Sequence, residues 1–252
     1  MGGPMLMALQ TAGLAACGYD VASTPYKHVT DDIKAFGDRV ETLISVVRDT
    51  HQTDEVLFGA QNFAAAPNLK RVIICSTLSP KYVLALRDRI APSISLMDAP
   101  MSGAQIAAQE ARLSFMLGGT AADLDAAQSL FDAMGKHFHR MGKFGSGMQA
   151  KVLNNLLAAS NTAMTRLVLD WADTAGLDER SLLDLIHTSS GQNWFASGFD
   201  DIEFARDGHA ADNTIGILVK DIASALDAAP HRADITLPET VQKQIRALKP
   251  RR

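Results

Sequence analysis

Hydrophobic positions change their rhythm once along this chain, near residue 142. Before that point, short β-branched or apolar runs at residues 14–19, 40–47, 72–76, 94–97 and 113–117 read as strands. Between them, residues 5–12, 53–58, 80–90 and 122–134 carry apolar side chains at helical spacing. Strand and helix alternating at this interval predict βαβ units and a mostly parallel sheet. Past residue 142 the strands stop. Residues 148–176 read as one long helix, with Val152, Leu156, Ala159, Ala163, Leu167 and Trp171 on its apolar face and Gly176 at its natural stop. Helices are expected again over 179–187, 215–228 and 238–248. The plan is an α/β domain over residues 1–143, then a long connecting helix leading into an all-α domain over 144–252, with the glycine turn at 142–147 as the hinge.

Composition narrows the class. Over 252 residues, 47% hydrophobic and 21% charged side chains are ordinary globular values and exclude a disordered chain. Lys plus Arg number 24 against 28 Asp plus Glu, and a net charge of -4 argues against a general nucleic-acid binder. The basic ending Lys249-Pro250-Arg251-Arg252 reads as a solvated tip. Cys17 and Cys75 are too few for a disulfide framework or a four-cysteine zinc site, and both lie in apolar runs, so they read as reduced core residues. No metal site is expected. No apolar run approaches the ~18 residues of a membrane span, which points to a soluble, cytoplasmic protein without membrane or nucleic-acid partners.

Candidate chemistry begins at the first residues. Met1-Gly2-Gly3-Pro4-Met5 leads into a helix and then a strand ending at Asp20, 18 residues after Gly2. Dinucleotide folds place glycines where backbone N–H groups approach a pyrophosphate, and an acid about 20 residues later takes the ribose hydroxyls. A glycine pair also describes a flexible terminus, and Asp20 alone a solvated turn. The most informative stretch is Gly142-Lys143-Phe144-Gly145-Ser146-Gly147, which feeds directly into the long helix. Lys151 and Asn155, four apart, share one helical face just beyond it. A buried lysine can move protons, and a neighbouring amide can hold a substrate oxygen. The pair Asn154-Asn155 is odd inside an apolar helix, because Asn is a poor helix former. Two further clusters follow strand ends: Asp98-Ala99-Pro100-Met101-Ser102-Gly103-Ala104 and Ser76-Thr77-Leu78-Ser79-Pro80. Ligands bind at the carboxyl ends of strands in open α/β sheets, though a Pro/Gly turn and helix capping by Ser79 are the plainer readings of each cluster alone.

Taken in order, these segments resemble the β-hydroxyacid dehydrogenase family, which includes 3-hydroxyisobutyrate and tartronate-semialdehyde reductases. Met1-Gly2 through Met5 looks like the end of its glycine fingerprint, and Ser76 to Pro80 like the segment after its fifth strand. Asp98 to Gly103, followed by Met116-Leu117-Gly118-Gly119, looks like its substrate motif. Gly142 to Asn155 looks like its catalytic helix, and Leu218-Val219-Lys220-Asp221 like its late cofactor-contacting motif. The resemblance implies a Rossmann-like domain and an NAD cofactor, NADP being possible. It also implies a small carboxylate substrate and a homo-oligomer, dimer or tetramer. It makes Lys151 the general acid/base, with Asn155 orienting the substrate and Ser102 and Gly103 binding the carboxylate. Met1, Gly2, Asp20, Val47, Arg48, Thr77 and Lys220 would contact the cofactor. The stretch Ser190 to Trp194 resembles one lining the site, with plain core an equal reading for Trp194.

The chain departs from the family pattern at four places. It has Val47-Arg48 where members carry Leu-Pro, and Ala104, beside the substrate, where they carry a second glycine. No strand with its two glycines precedes Gly2, so the Rossmann-like domain is expected to be N-terminally truncated. The part after Pro230 is shorter and less familiar. Two readings follow: an NAD(P)-dependent dehydrogenase of a small β-hydroxyacid and its semialdehyde, or a truncated, catalytically impaired homologue acting as a dimeric interaction module. 6-Phosphogluconate dehydrogenases share the architecture, but would need a His-Asn pair after the lysine and a longer helical domain.

Overall fold

The computed structural model describes residues 1–251, leaving Arg252 and the side chain of Ala104 outside the description. Packing divides the chain into two compact units, Met1–Lys151 and Val152–Arg252. The division falls inside one helix, so the first turns of that helix pack with the first unit.

In the first unit, α1 (Gly2–Thr11) is followed by β1 (Gly18–Tyr19), β2 (Val29–Thr30), α2 (Ile33–Gly37), β3 (Thr42–Ser45), α3 (Thr50–Leu57) and β4 (Arg71–Ile74). Then come α4 (Pro80–Arg89), β5 (Ser95–Asp98), β6 (Met101–Ser102), α5 (Ala104–Gln109), β7 (Leu113–Gly118), α6 (Ala121–Met134) and β8 (Gly135–Gly142). Strands β3, β4 and β5 run parallel in that order, Val72 pairing with Leu43 on one side and Leu96 on the other. β7 turns antiparallel to β5 and β6 and parallel to β8. β4 is buried at Val72, Ile73 and Ile74, as a strand covered on both faces must be. Met5 and Leu9 of α1 sink into the core that Ile73, Phe115 and Phe131 share.

The sheet is broken in one place. β1 pairs only with β2, in a separate two-stranded sheet, while β3 forms one end of the larger sheet. Among the described residues no strand bridges them. This is why only Gly18–Tyr19 of the apolar run at 14–19 forms a ladder: a strand exists through its neighbours, and residues 14–17 have none. In the other direction, β8 was not expected. Its sequence Lys136-His137-Phe138-His139-Arg140 is mostly exposed and basic, as suits an edge strand protected from further pairing. The short α2 and α5 were also not expected, and α1 starts at Gly2 rather than Met5.

The long helix α7 (Ser146–Ala175) leads into the second unit, which continues through α8 (Glu179–Thr188), α9 (Trp194–Ser197), α10 (Thr214–Asp227) and α11 (Thr236–Ala247). Phe195, Phe199, Phe204, Ile215, Ile222 and Ile245 fill its core. The face that α7 buries is the expected one at Val152, Ala159 and Ala163 and departs from it further along the helix. Trp171 is 69% exposed and Leu167 only partly buried, whereas Thr162, Thr165 and Arg166 are buried. Polar side chains take those places because each finds acceptors. Arg166 donates to the carbonyls of Ala205, Asp207 and Lys249, and Thr162 bonds back to the Ala158 carbonyl. Trp194 is likewise exposed and is not core.

Arg251 corrects the solvated-tip expectation. Its side chain is 7% exposed and its guanidinium reaches Asp170 at 2.8 Å, Asp173 at 2.7 Å and Glu179 at 2.6 Å. The planar fork of arginine suits donation to several carboxylates at once. Cys17 is exposed rather than core; Cys75 is buried, and both thiols are free. No described helix is long and apolar enough to cross a membrane.

Candidate active site

Three adjacent parallel strands deliver the first unit's candidates to one end of the sheet. β3 ends just before Val47 and Arg48, β4 just before Thr77, and β5 at the head of the loop carrying Ser102. The Val47 N–H donates to Ser76 Oγ at 2.8 Å, stitching the first two loops together. The Arg48 N–H donates to Gln52 Oε1 at 3.0 Å, at the start of α3. The Leu78 N–H points at Met148 Sδ, 3.3 Å away, joining the Thr77 loop to the first turn of α7.

Ser102 sits on the short β6, opposite Ser114 of β7, so its backbone is fixed by a strand rather than by a free loop. Gly103 follows with φ 130°, and a Cβ there would fall 2.4 Å from the Ala107 Cβ. This turn into α5 accepts only glycine. Ala104 opens α5, and the side chain that the sequence reading placed beside the substrate lies outside the described residues. Lys151 is 7% exposed, and its Nζ donates to Ser102 Oγ at 3.1 Å. The structure thus joins the two strongest candidates of this unit across 49 residues of sequence.

The start of α1 suits a dinucleotide phosphate. Met1 occupies the N-cap position without a side-chain cap, and the first turn holds no acid that would compete with an anion. Uncapped N–H groups at a helix N-terminus form a ready anion site. Gly2 has room for an ordinary contact, Val46 lying 3.9 Å from a Cβ built there. Gly3 is held by a neighbour instead: the Tyr26 ring lies 2.1 Å from where its Cβ would be. Asp20 follows β1, is exposed, and accepts from the Ala22 N–H at 2.9 Å.

In the second unit, Asn155 donates through Nδ2 to Asp221 Oδ2 at 2.6 Å. Asp221 is buried, and Lys220 Nζ lies 3.0 Å from its other oxygen. This accounts for Asn155 in an apolar helix, while Asn154 stays exposed. Lys220 carries a role by resemblance, whereas Asp221, its partner here, carried none. The signal was an acid inside the apolar run Ile215 to Ala225, a position that needs a partner when buried.

Asp98 lies in the motif that resembles the family's substrate segment, but the resemblance implies no role for it. Burial pushes its carboxyl up to about 6, against the backbone N–H groups of Gly145 and Met148 that pull it down. An acid whose folded value lies above its unfolded 3.8 binds more protons when folded between those pH values, so its titration lowers stability as pH rises through that window. The stability of the wild type relative to Asp98→Asn should therefore fall between pH 4 and 6, by at most ~1.4 kcal/mol per pH unit, and level off above. Urea melts across that range check the slope; a difference that rises or stays flat would refute it.

An uncapped helix start, loops at the ends of three parallel strands and a buried lysine beside a serine are compatible with a nicotinamide-dependent dehydrogenase. Comparison with known proteins agrees. Residues 1–142 match the family described as the NAD binding domain of 6-phosphogluconate dehydrogenase. Residues 145–250 match the NAD-binding domain of NADP-dependent 3-hydroxyisobutyrate dehydrogenase. The chain belongs to the β-hydroxyacid dehydrogenase family of NAD(P)-dependent enzymes. An L-threonate dehydrogenase of Cupriavidus necator is 30% identical over 199 residues, covering 77% of this chain and 66% of that protein. The mitochondrial 3-hydroxyisobutyrate dehydrogenase of Rattus norvegicus is 28% identical over 264 residues, covering 97% and 78%. Among solved structures, 3-hydroxyisobutyrate dehydrogenase from Salmonella typhimurium superimposes with a TM-score of 0.81 at 21% identity, covering 97% of this chain and 89% of that one. At that identity the likeness speaks for the fold.

Proposed function

We propose that this protein interconverts a small β-hydroxyacid and its semialdehyde, of the 3-hydroxyisobutyrate or 2-hydroxy-3-oxopropionate kind, with Lys151 as the proton-transfer group. The observation that carries this reading is the buried Lys151 ammonium 3.1 Å from the Ser102 hydroxyl. A nicotinamide dinucleotide, once held here, would supply the hydride acceptor or donor for the substrate's carbinol carbon. In oxidation the Lys151 amine accepts the hydroxyl proton; in reduction its ammonium gives that proton back. Ser102 and the Gly103 N–H hold the substrate carboxylate, and Asn155, its amide fixed by Asp221, orients the reacting oxygen. Met1, Gly2, Asp20, Val47, Arg48 and Thr77, all in the first unit, would hold the cofactor. The test is a reduction assay across C3 and C4 semialdehydes with both nicotinamide cofactors. Turnover of none of them would overturn the reading.

NAD(H) is the preferred cofactor in this reading. In Tyr19-Asp20-Val21 the carboxylate would accept from ribose hydroxyls and repel a 2′-phosphate. The expected result is a higher kcat/KM with NAD(H) than with NADP(H), and the reverse order would show that Asp20 has another role. Exposed Leu153, Leu157, Met164 and Trp171 along α7 support a homodimer. Sedimentation at micromolar concentration should show more than a monomer, and Trp171→Glu should weaken the assembly.

The broken sheet favours a second reading, in which the chain binds cofactor weakly and serves as a dimeric interaction module. The extension experiment discussed below separates the two.

A further inference from the structure

We propose that Asp98 is a positioning residue of the reaction, a buried clamp that holds the first turn of α7, and with it Lys151, against the loop that carries Ser102. The proposal rests on the assignment of Lys151 as the proton-transfer group. Asp98 is the last residue of β5 and is 0% exposed. Its Oδ1 accepts from the Gly145 N–H at 2.7 Å and its Oδ2 from the Met148 N–H at 2.5 Å. Ser102 lies four residues after Asp98, and Lys151 three residues after Met148. One carboxylate therefore ties together both chain segments whose side chains meet at the Lys151–Ser102 contact.

The other long-range features of the turn agree. Helices α2, α3, α6, α8, α9 and α10 are capped by the side chain at their own N-cap position. α7 differs: the N–H groups of Gly145, just ahead of it, and of Met148, in its first turn, are satisfied by a residue 47 and 50 positions away, at the end of β5. A local cap would stabilise the helix without fixing where it points. A cap delivered from β5 makes the position of Lys151 depend on the loop it must meet. A carboxylate also suits the positive end of a long helix. The surroundings leave it no slack, because a Cβ at Gly118 would fall 2.2 Å from Asp98 Oδ1. Displacing a catalytic group by about 1 Å can cost ~10²-fold in rate, so a small relaxation of this clamp has a kinetic signature.

Two variants perturb the clamp in different ways. Asp98→Asn keeps the shape and one acceptor oxygen but turns an amide donor toward a backbone N–H. Gly118→Ala keeps the carboxylate and pushes on it. Assayed well below each variant's melting temperature, both should lose tenfold or more in kcat while NAD(H) Kd changes by less than about threefold. Asp98→Ala should lose more than Asp98→Asn, which retains one bond. A helix cap with no part in positioning would lower Tm and leave kcat alone. Independently of turnover, the ¹⁵N resonance of Lys151 should titrate at a different pH in the variants than in the wild type. Near-normal kcat in either folded variant, or an unmoved Lys151 titration in both, overturns the proposal. A moved titration in a protein whose wild type turns over none of the semialdehydes would leave the clamp standing and remove the dehydrogenase reading instead.

Discussion

Lys151→Ala should cost at least ~10²–10⁴-fold in kcat, the range expected when a general acid/base is removed, while NAD(H) affinity stays within a small factor. The expectation follows from position as much as from residue type. Most lysines extend into water; this one is buried, with its Nζ 3.1 Å from Ser102 Oγ, and burying an ammonium is costly unless a function or a partner requires it. Lys151→Arg should not rescue the activity, because a guanidinium does not give up its proton at working pH. Stopped-flow measurement of hydride transfer, set beside cofactor titration, separates the proton step from binding. Near-wild-type turnover in Lys151→Ala would remove the residue from the mechanism.

The second large effect concerns the break in the sheet. β1 and β2 form their own pair, and β3 keeps one edge free of any described strand. Each hydrogen bond of a strand lying between β1 and β3 would be worth ~0.5–1.5 kcal/mol net, a sizeable sum against a domain stability of ~5–15 kcal/mol. The same strand would bring a phosphate turn to the start of α1, whose Met5 and Leu9 are already seated in the core. NAD(H) binding by the 252-residue chain is therefore expected to be weak. Adding an apolar strand of about 5–6 residues ending in Gly-x-Gly ahead of Met1 should tighten it tenfold or more and raise Tm. Micromolar or tighter binding without the extension would show that Gly2, Gly3 and the open start of α1 suffice for the phosphates.

Much of the fold was legible in the residues, because helices and strands announce themselves through local periodicity. The Pro80 helix begins at the expected residue, and α6, α8 and α10 fall within about a residue of expectation. The glycine turn before Lys151 and the Ser102-Gly103 loop were equally visible, since their chemistry lies in neighbouring letters. What escaped was settled by distant partners. β8 is a strand only because β7 pairs with it along Leu113 to Gly118; its own basic sequence carries no such signal.

The sequence by itself determined the longer helices and the parallel strands of the sheet, the place where sheet gives way to helices, and the family motifs with their candidate residues. Only the tertiary structure decided which of those residues meet. It set Lys151 against Ser102, gave Asn155 its partner in Asp221, and turned Asp98 from a motif letter into a clamp. It turned Trp171 outward and Arg166 inward, and drew Arg251 from a supposed loose tip into a cage of three acids. For the polar groups among these the physical reason is the same. A polar or charged side chain is buried when groups far along the chain supply its hydrogen bonds, and local pattern carries no record of them.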